Sequence, residues 1–287
     1  MKSYSNVDSD LIKKFILPRE VTSRKGDNGI TLIVGGSRIY HGAPLLASMA
    51  ALRSGVDLVY TAVPKINIIP SRNFSADLIL IPFPDDKLTA GTVHRLLKSI
   101  PKKIQSAAIG MGLNNAKPQA LSSLIQGLLN QDVKLIVDAG ALIPEILNQI
   151  TNSQVVVTPH AGEFKRMFGL TIPEKLNDQI EIVSDTAKEF GITVTLKGYW
   201  NIVSDGENVF VMQRTTPAMT VGGTGDILSG LIAGYLTKYD PIVASIMGLF
   251  FNGTAALNVY AKTGLHMVSS DLLVELPFVM KEFDILK

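Results

Sequence analysis

The strongest constraint on the fold of this chain is an alternation in which short apolar or β-branched runs are followed repeatedly by longer stretches with helical spacing. Thr31-Leu32-Ile33-Val34 precedes Ala43 to Ser54, Val56 to Val63 precedes Thr89 to Ser99, and Ala107-Ala108-Ile109 precedes Lys117 to Asn130. Leu135-Ile136-Val137, Val155-Val156-Val157, a helical pattern from Asp178 to Phe190 and the run Ile192 to Leu196 continue the series. Such alternation builds βαβ units, and several runs are continuously apolar, as strands covered on both faces must be. The pattern changes once, where Asp205-Gly206 separates Trp200–Ser204 from Val209–Met212 and predicts an antiparallel hairpin. From Thr224 onward the spacing is helical through Leu236, from Ile242 to Lys262 and from Asp271 to Phe283. The expected class is α/β: a mainly parallel central sheet flanked by helices on both faces, with an antiparallel hairpin extension.

The 287 residues are read as one domain spanning residues 1–287, with no low-complexity linker and no internal repeat. A 46% hydrophobic and 18% charged composition with a net charge of +2 argues against disorder and against a nucleic-acid-scale basic surface, so the expected partners are small molecules. The absence of cysteine excludes disulfides and thiolate metal sites and suits a reducing cytosol, so a cytoplasmic location is expected. No targeting signal is read in the stretch before Glu20, whose longest apolar patch is Phe15-Ile16-Leu17. The apolar stretch Ile242 to Leu257 is interrupted by Asn252, Gly253 and Thr254 and is read as a buried helix, so no membrane partner is expected.

The densest chemistry lies in Gly222-Gly223-Thr224-Gly225-Asp226, followed by the apolar run Ile227 to Ala233. Glycines allow close backbone approach, and the free N–H groups of a helix's first turn bind anions, so a phosphoryl group can lodge there beside Asp226. The bland explanation is an ordinary glycine turn before a helix, with Asp226 favoured by the helix dipole. Further candidates sit where strands end, the edge at which parallel sheets bind ligands: Gly35-Gly36-Ser37, Gly110-Met111-Gly112, Asp138-Ala139-Gly140, Thr158-Pro159-His160 and Lys197-Gly198. A P-loop, a dinucleotide fingerprint and a Gly-x-Ser-x-Gly elbow are all absent, and His41, His94, His160 and His266 lack metal-ligand spacing.

Taken together, several segments resemble the NAD(P)H-hydrate dehydratase family of the ribokinase-like superfamily. They are Gly35 through Tyr40, Gly42-Ala43-Pro44, Ala51 to Gly55, Thr158-Pro159-His160-Ala161-Gly162-Glu163, Leu196-Lys197-Gly198 and Gly222 to Gly230. The resemblance implies a ribokinase-like fold and a repair reaction. ADP or ATP phosphorylates the ring hydroxyl of hydrated NADH or NADPH, and phosphate then leaves to restore the cofactor. It implies that Asp226 activates the hydroxyl while Gly223, Thr224 and Gly225 stabilise the transferring charge. It also implies substrate contacts at Ala43, Gly112, His160 and Asp226, and nucleotide contacts at Lys197, Gly198, Tyr199, Trp200, Asn201 and Gly225. Glu163 is implied to hold nucleotide-associated Mg2+ through water, and the assembly is implied to be a homotetramer. Many relatives carry an epimerase domain ahead of this one, and none is expected here.

The chain departs from the family pattern at Asp138-Ala139-Gly140-Ala141-Leu142-Ile143, where the family has Asp-Ala-Asp-Ala-Leu-Asn, and at Gly110-Met111-Gly112-Leu113-Asn114. Tyr199 and Asn201 also replace smaller residues. Two other readings stand beside the dehydratase: a ribokinase-like kinase of a small alcohol such as a vitamin precursor, and a nucleotide-binding protein without catalysis. Thr158-Pro159-His160 with Gly162-Glu163 argues against the first, and an intact Asp226 against the second.

Overall fold

The computed structural model describes residues 2–84, 88–114 and 116–287. The strands in chain order are β1 (Ser5–Asn6), β2 (Ile30–Val34), β3 (Leu58–Pro64), β4 (Ile79–Phe83), β5 (Ser106–Ile109), β6 (Lys134–Val137), β7 (Val155–Val157), β8 (Thr193–Leu196), β9 (Trp200–Ser204) and β10 (Val209–Gln213). The helices are α1 (Ser9–Phe15), α2 (Gly42–Arg53), α3 (Ile68–Phe74), α4 (Ala90–Ser99), α5 (Pro118–Leu129), α6 (Leu147–Ile150), α7 (Ala161–Phe168), α8 (Leu176–Phe190), α9 (Thr224–Leu236), α10 (Pro241–Thr263) and α11 (Ser269–Met280).

The strands join in one sheet of order β1-β10-β9-β8-β7-β6-β5-β2-β3-β4. Pairing from β4 across to β8 is parallel, and β9 pairs antiparallel with both β8 and β10, as the Asp205-Gly206 turn predicts. Two strands lie outside the sequence reading. β1 is two exposed polar residues, and β4 is a partly exposed edge strand containing Pro82, so neither carries the apolar signature of a covered strand.

Alternate residues of each central strand feed opposite cores because side chains alternate across a strand. Leu32, Val34, Ile109, Leu135, Val137 and Val157 pack with α4, α5, α7 and α8 on one face. Ile33, Ala108, Ile136 and Val156 pack with α2, α9, α10 and α11 on the other. The apolar α10 is long enough to cross a membrane by composition, yet 72% of its most apolar window is buried in this second core.

Two features of the fold position the site. The chain leaves β2 toward β3 and β4 on one side and returns to place β5 on the other. That reversal opens a crevice at the carboxyl ends of β2 and β5. Across the second core, α9 presses on α2: a Cβ at Gly230 would overlap the Ala47 carbonyl, and one at Gly234 would overlap the Ser54 hydroxyl. The two helices therefore run in contact through backbone, which fixes the start of α9 beside the start of α2.

Candidate active site

The start of α9 is shaped by Gly223, its N-cap, with φ of +101°. A Cβ there would also come within 2.8 Å of Leu46 Cδ1, so both backbone and space demand glycine. Thr224 steadies the turn by donating its hydroxyl to the carbonyls of Met219 (3.0 Å) and Val221 (3.2 Å). The first amide of this turn that bonds back into the chain is that of Ile227, which donates to Gly223 O at 3.0 Å. Among the described residues, the amides of Gly223, Thr224, Gly225 and Asp226 have no acceptor. They form the donor ring that a phosphoryl group requires.

Three further carboxylates and cations arrive from separate elements. Asp138 follows β6, Lys197 follows β8, and Glu163 lies in the first turn of α7. Lys197 Nζ stands 2.8 Å from Asp138 Oδ1 and 3.8 Å from Glu163 Oε2. The second Asp138 oxygen accepts from Ser229 Oγ at 2.7 Å, one helical turn after Asp226. Burial pulls the Lys197 ammonium toward lower pKa, but the charges of Asp138, Glu163 and Asp226 outweigh it, and the net displacement is upward. For Asp226, burial first and the Asp138 charge second raise the carboxyl to about 7, with Glu163 adding and Lys197 opposing. A carboxylate so placed is a base poised at neutral pH.

His160 caps α7. Its Nδ1 accepts from the Gly162 and Glu163 amides at 3.0 and 3.2 Å, which leaves the hydrogen of the neutral ring on Nε2, while its own amide donates to Glu163 Oε2 at 2.9 Å. The side chain stays 61% exposed, lines the cavity described next, and holds Nε2 3.6 Å from Glu163 Oε1. Lys197 occupies the space between Asp138 and Glu163 where a directly coordinated cation would sit. Among the described residues no cluster of three ligating side chains is suited to a metal. The described residues therefore offer no direct set of side-chain ligands for a divalent cation, and Glu163 lies 3.8 Å from the Lys197 ammonium.

A cavity of about 420 Å³ runs from His160 and Lys197 along Gly198 and Asn201 to Gly222, Gly223, Thr224 and Gly225, and ends at Asn252 and Gly253. Tyr199 and Trp200 do not line it. Tyr199 accepts from the Gln213 amide, and Trp200 packs against the first core. On the crevice side the structure brings Ala43 and Gly112 together: a Cβ at Gly112 would lie 3.1 Å from Ala43 Cβ and 2.7 Å from Tyr40 O. Gly36 N–H donates to Met111 O at 2.8 Å, closing the crevice floor.

Sequence reasoning missed Ser229 and Asn252. Ser229 was legible only as the residue one turn beyond Asp226. Asn252 is 3% exposed, donates to Thr224 O at 3.3 Å, and leaves its Oδ1 without a partner among the described residues while lining the cavity. The altered segment also has a physical reason. A Cβ at Gly140 would overlap the Leu113 carbonyl, and Ala139 already sits at φ +50°, so this backbone has no room for the family's second carboxylate.

The mainly parallel sheet with its antiparallel β9–β10 extension, carrying an anion-binding helix start at its carboxyl edge, has the ribokinase-like α/β fold. The fold matches the crystal structure of the Bacillus subtilis ADP/ATP-dependent NAD(P)H-hydrate dehydratase co-crystallised with ATP/Mg2+, with a TM-score of 0.85, 24% identity, and coverage of 99% of this chain and 100% of that one. Within that class the chain belongs to the NAD(P)H-hydrate dehydratase family, whose model matches residues 31–277. A relative from Nitrosopumilus maritimus named ADP-dependent (S)-NAD(P)H-hydrate dehydratase is 55% identical over 275 residues, covering 96% of each chain. A relative of the same name from Cenarchaeum symbiosum is 48% identical over 279 residues, covering 97% of each.

Proposed function

We propose that this enzyme restores NADH and NADPH from their ring-hydrated forms, with ADP as phosphoryl donor. The observation that carries the reading is the pairing of Asp226, raised to about 7, with unpartnered amides immediately before it. Asp226 takes the proton of the ring hydroxyl as its oxygen attacks the terminal phosphorus, and AMP leaves. The amides of Gly223, Thr224 and Gly225 hold the charge on the transferring group. Hydroxide is a poor leaving group and phosphate a good one, so the ring nitrogen's electron pair then expels phosphate to give an iminium, and the adjacent ring carbon gives up a proton to the departing phosphate or to water, which restores the carbon-carbon double bond and the neutral nitrogen.

The nucleotide is placed in the cavity bounded by Lys197, Gly198, Asn201 and Gly225, and the hydrated ring against Ala43, Gly112 and His160. ADP rather than ATP is favoured by the names of the two relatives. The reading includes Mg2+ carried by the phosphates and held through water by Glu163, a cytoplasmic setting, and a homotetramer. Assembly is supported by the apolar side chains of Leu265, Val274 and Phe278, which are 66%, 65% and 56% exposed. The test is incubation of purified protein with hydrated NADH or NADPH and ADP or ATP, following the absorbance of the restored reduced nicotinamide. No restoration with either nucleotide defeats the proposal.

A further inference from the structure

Lys197 stands between two carboxylates that reach it from different elements: Asp138 Oδ1, at 2.8 Å, from the end of β6, and Glu163 Oε2, at 3.8 Å, from α7. One turn beyond Glu163, α7 carries Arg166. Its guanidinium reaches the segment after Asp138, where Nη2 donates to Ala139 O at 2.7 Å and Nε to Leu142 O at 2.9 Å. Donors that carry a charge make the stronger hydrogen bonds, and the planar fork of an arginine fixes direction as well as distance.

The segment so held is strained. Ala139 has φ of +50°, a left-handed conformation that an L-residue keeps only where its surroundings enforce it. On the other side of Asp138 the sheet provides the anchor, since the Asp138 amide donates to Ile109 O at 3.0 Å. The strand ladder thus fixes Asp138 from before, and Arg166 clamps the turn that follows. Arg166 does not line the nucleotide cavity.

We propose that Arg166 is a positioning residue, joining α7 to the Asp138 turn so that Asp138 and Glu163 hold Lys197 between them at the edge of the phosphoryl site. Its effect on turnover rests on the dehydratase reading; its effect on Asp226 does not. After burial, the groups that set the proton affinity of Asp226 are Asp138 and Glu163, which raise it, and Lys197, which lowers it. Loss of the Arg166 positive charge alone would raise it further. Release of the Asp138 turn does the opposite, because that carboxylate moves off and the freed Lys197 turns toward Asp226.

The test is Arg166→Ala in the full chain. Carboxyl 13C NMR of protein labelled at aspartate, with Asp226 assigned by its loss in Asp226→Asn, reads the titration midpoint without any reaction. The expected result is proton binding at Asp226 weakened at least about threefold, with the midpoint at lower pH. Turnover on the pH plateau should fall about ten- to a hundredfold, the cost of misplacing groups that orient reactants, and methylguanidinium below its denaturing range should recover part of it. Arg166→Lys keeps the charge but cannot hold both carbonyls, so it should move the midpoint the same way by less; it serves as the test should the alanine variant not fold. A midpoint that stays or rises, or turnover untouched below the melting temperature, overturns the proposal. Absence of turnover in the wild type defeats the dehydratase reading instead, and the midpoint alone then decides the role of Arg166.

Discussion

Ser229 Oγ donates to Asp138 Oδ2 at 2.7 Å, and the same carboxylate holds Lys197 through its other oxygen at 2.8 Å. Both Asp138 and Ser229 are buried, so the hydroxyl and the ammonium together compensate a charge withdrawn from water. Removing either partner exposes a different part of that compensation. Ser229→Ala should cost about 1–3 kcal/mol, the loss of one hydrogen bond to a charged group. Lys197→Met should cost about 3–5 kcal/mol, because Asp138 is left buried with an uncompensated charge. Urea denaturation at neutral pH ranks the two, and equal losses would show that Asp138 does not depend on Lys197.

Asp226→Asn preserves shape and removes the proposed base. Turnover should fall by at least about a hundredfold, the usual contribution of a positioned proton acceptor, while nucleotide affinity stays within a few-fold. Steady-state kinetics alongside equilibrium ADP binding separates the two effects. Unaltered turnover would remove Asp226 from the chemistry.

The elevated Asp226 pKa of about 7 gives activity and stability opposite pH dependences. In the proposed mechanism activity requires the carboxylate, so kcat/KM should rise with pH and level off above the folded-state value. Stability moves the other way. Between about pH 4, where an unfolded aspartate loses its proton, and the folded-state value, the native chain binds one proton more, and stability declines as pH rises. Asp226→Asn should abolish that decline, leaving the variant with the higher Tm at about pH 8 and little difference at about pH 4. A wild-type advantage on the alkaline side would contradict the burial that raises this group.

Gly230→Ala should be strongly destabilising, because its methyl meets the Ala47 carbonyl, a backbone atom that cannot turn aside. A loss of about 1–3 kcal/mol or more is expected, with turnover reduced through displacement of the α9 start. Gly91→Ala is the contrast. Its methyl meets nothing within 4 Å among the described residues, and a gain of about 0.4–1 kcal/mol is expected from reduced freedom in the unfolded chain. Thermal melts of the pair decide whether contact at Gly230, rather than glycine replacement in general, matters.

Much of this architecture is legible in the residues. Covered strands such as Val155–Val157 announce themselves because both faces are apolar, and Asp205-Gly206 specifies its hairpin locally. β4 escaped because a partly exposed edge containing Pro82 resembles a loop. At the site, the Gly222 to Asp226 segment is contiguous and so carries its own signal. The Asp138, Ser229 and Lys197 network joins residues 91 and 59 positions apart, and no local pattern encodes such a meeting. Gly140 was visible as a missing carboxylate, but its reason, the adjacent Leu113 carbonyl, exists only in three dimensions.

The backbone contact of Gly230 with Ala47 has a consequence for how such an enzyme can change over time. The donor loop rides on one helix and the Ala43 lip on the other, so the gap between the two proposed binding positions is set by a strut that lies outside both of them. Variation in what the clefts accept can accumulate along their walls, while the reach of the phosphoryl group stays governed by two small residues in the interior.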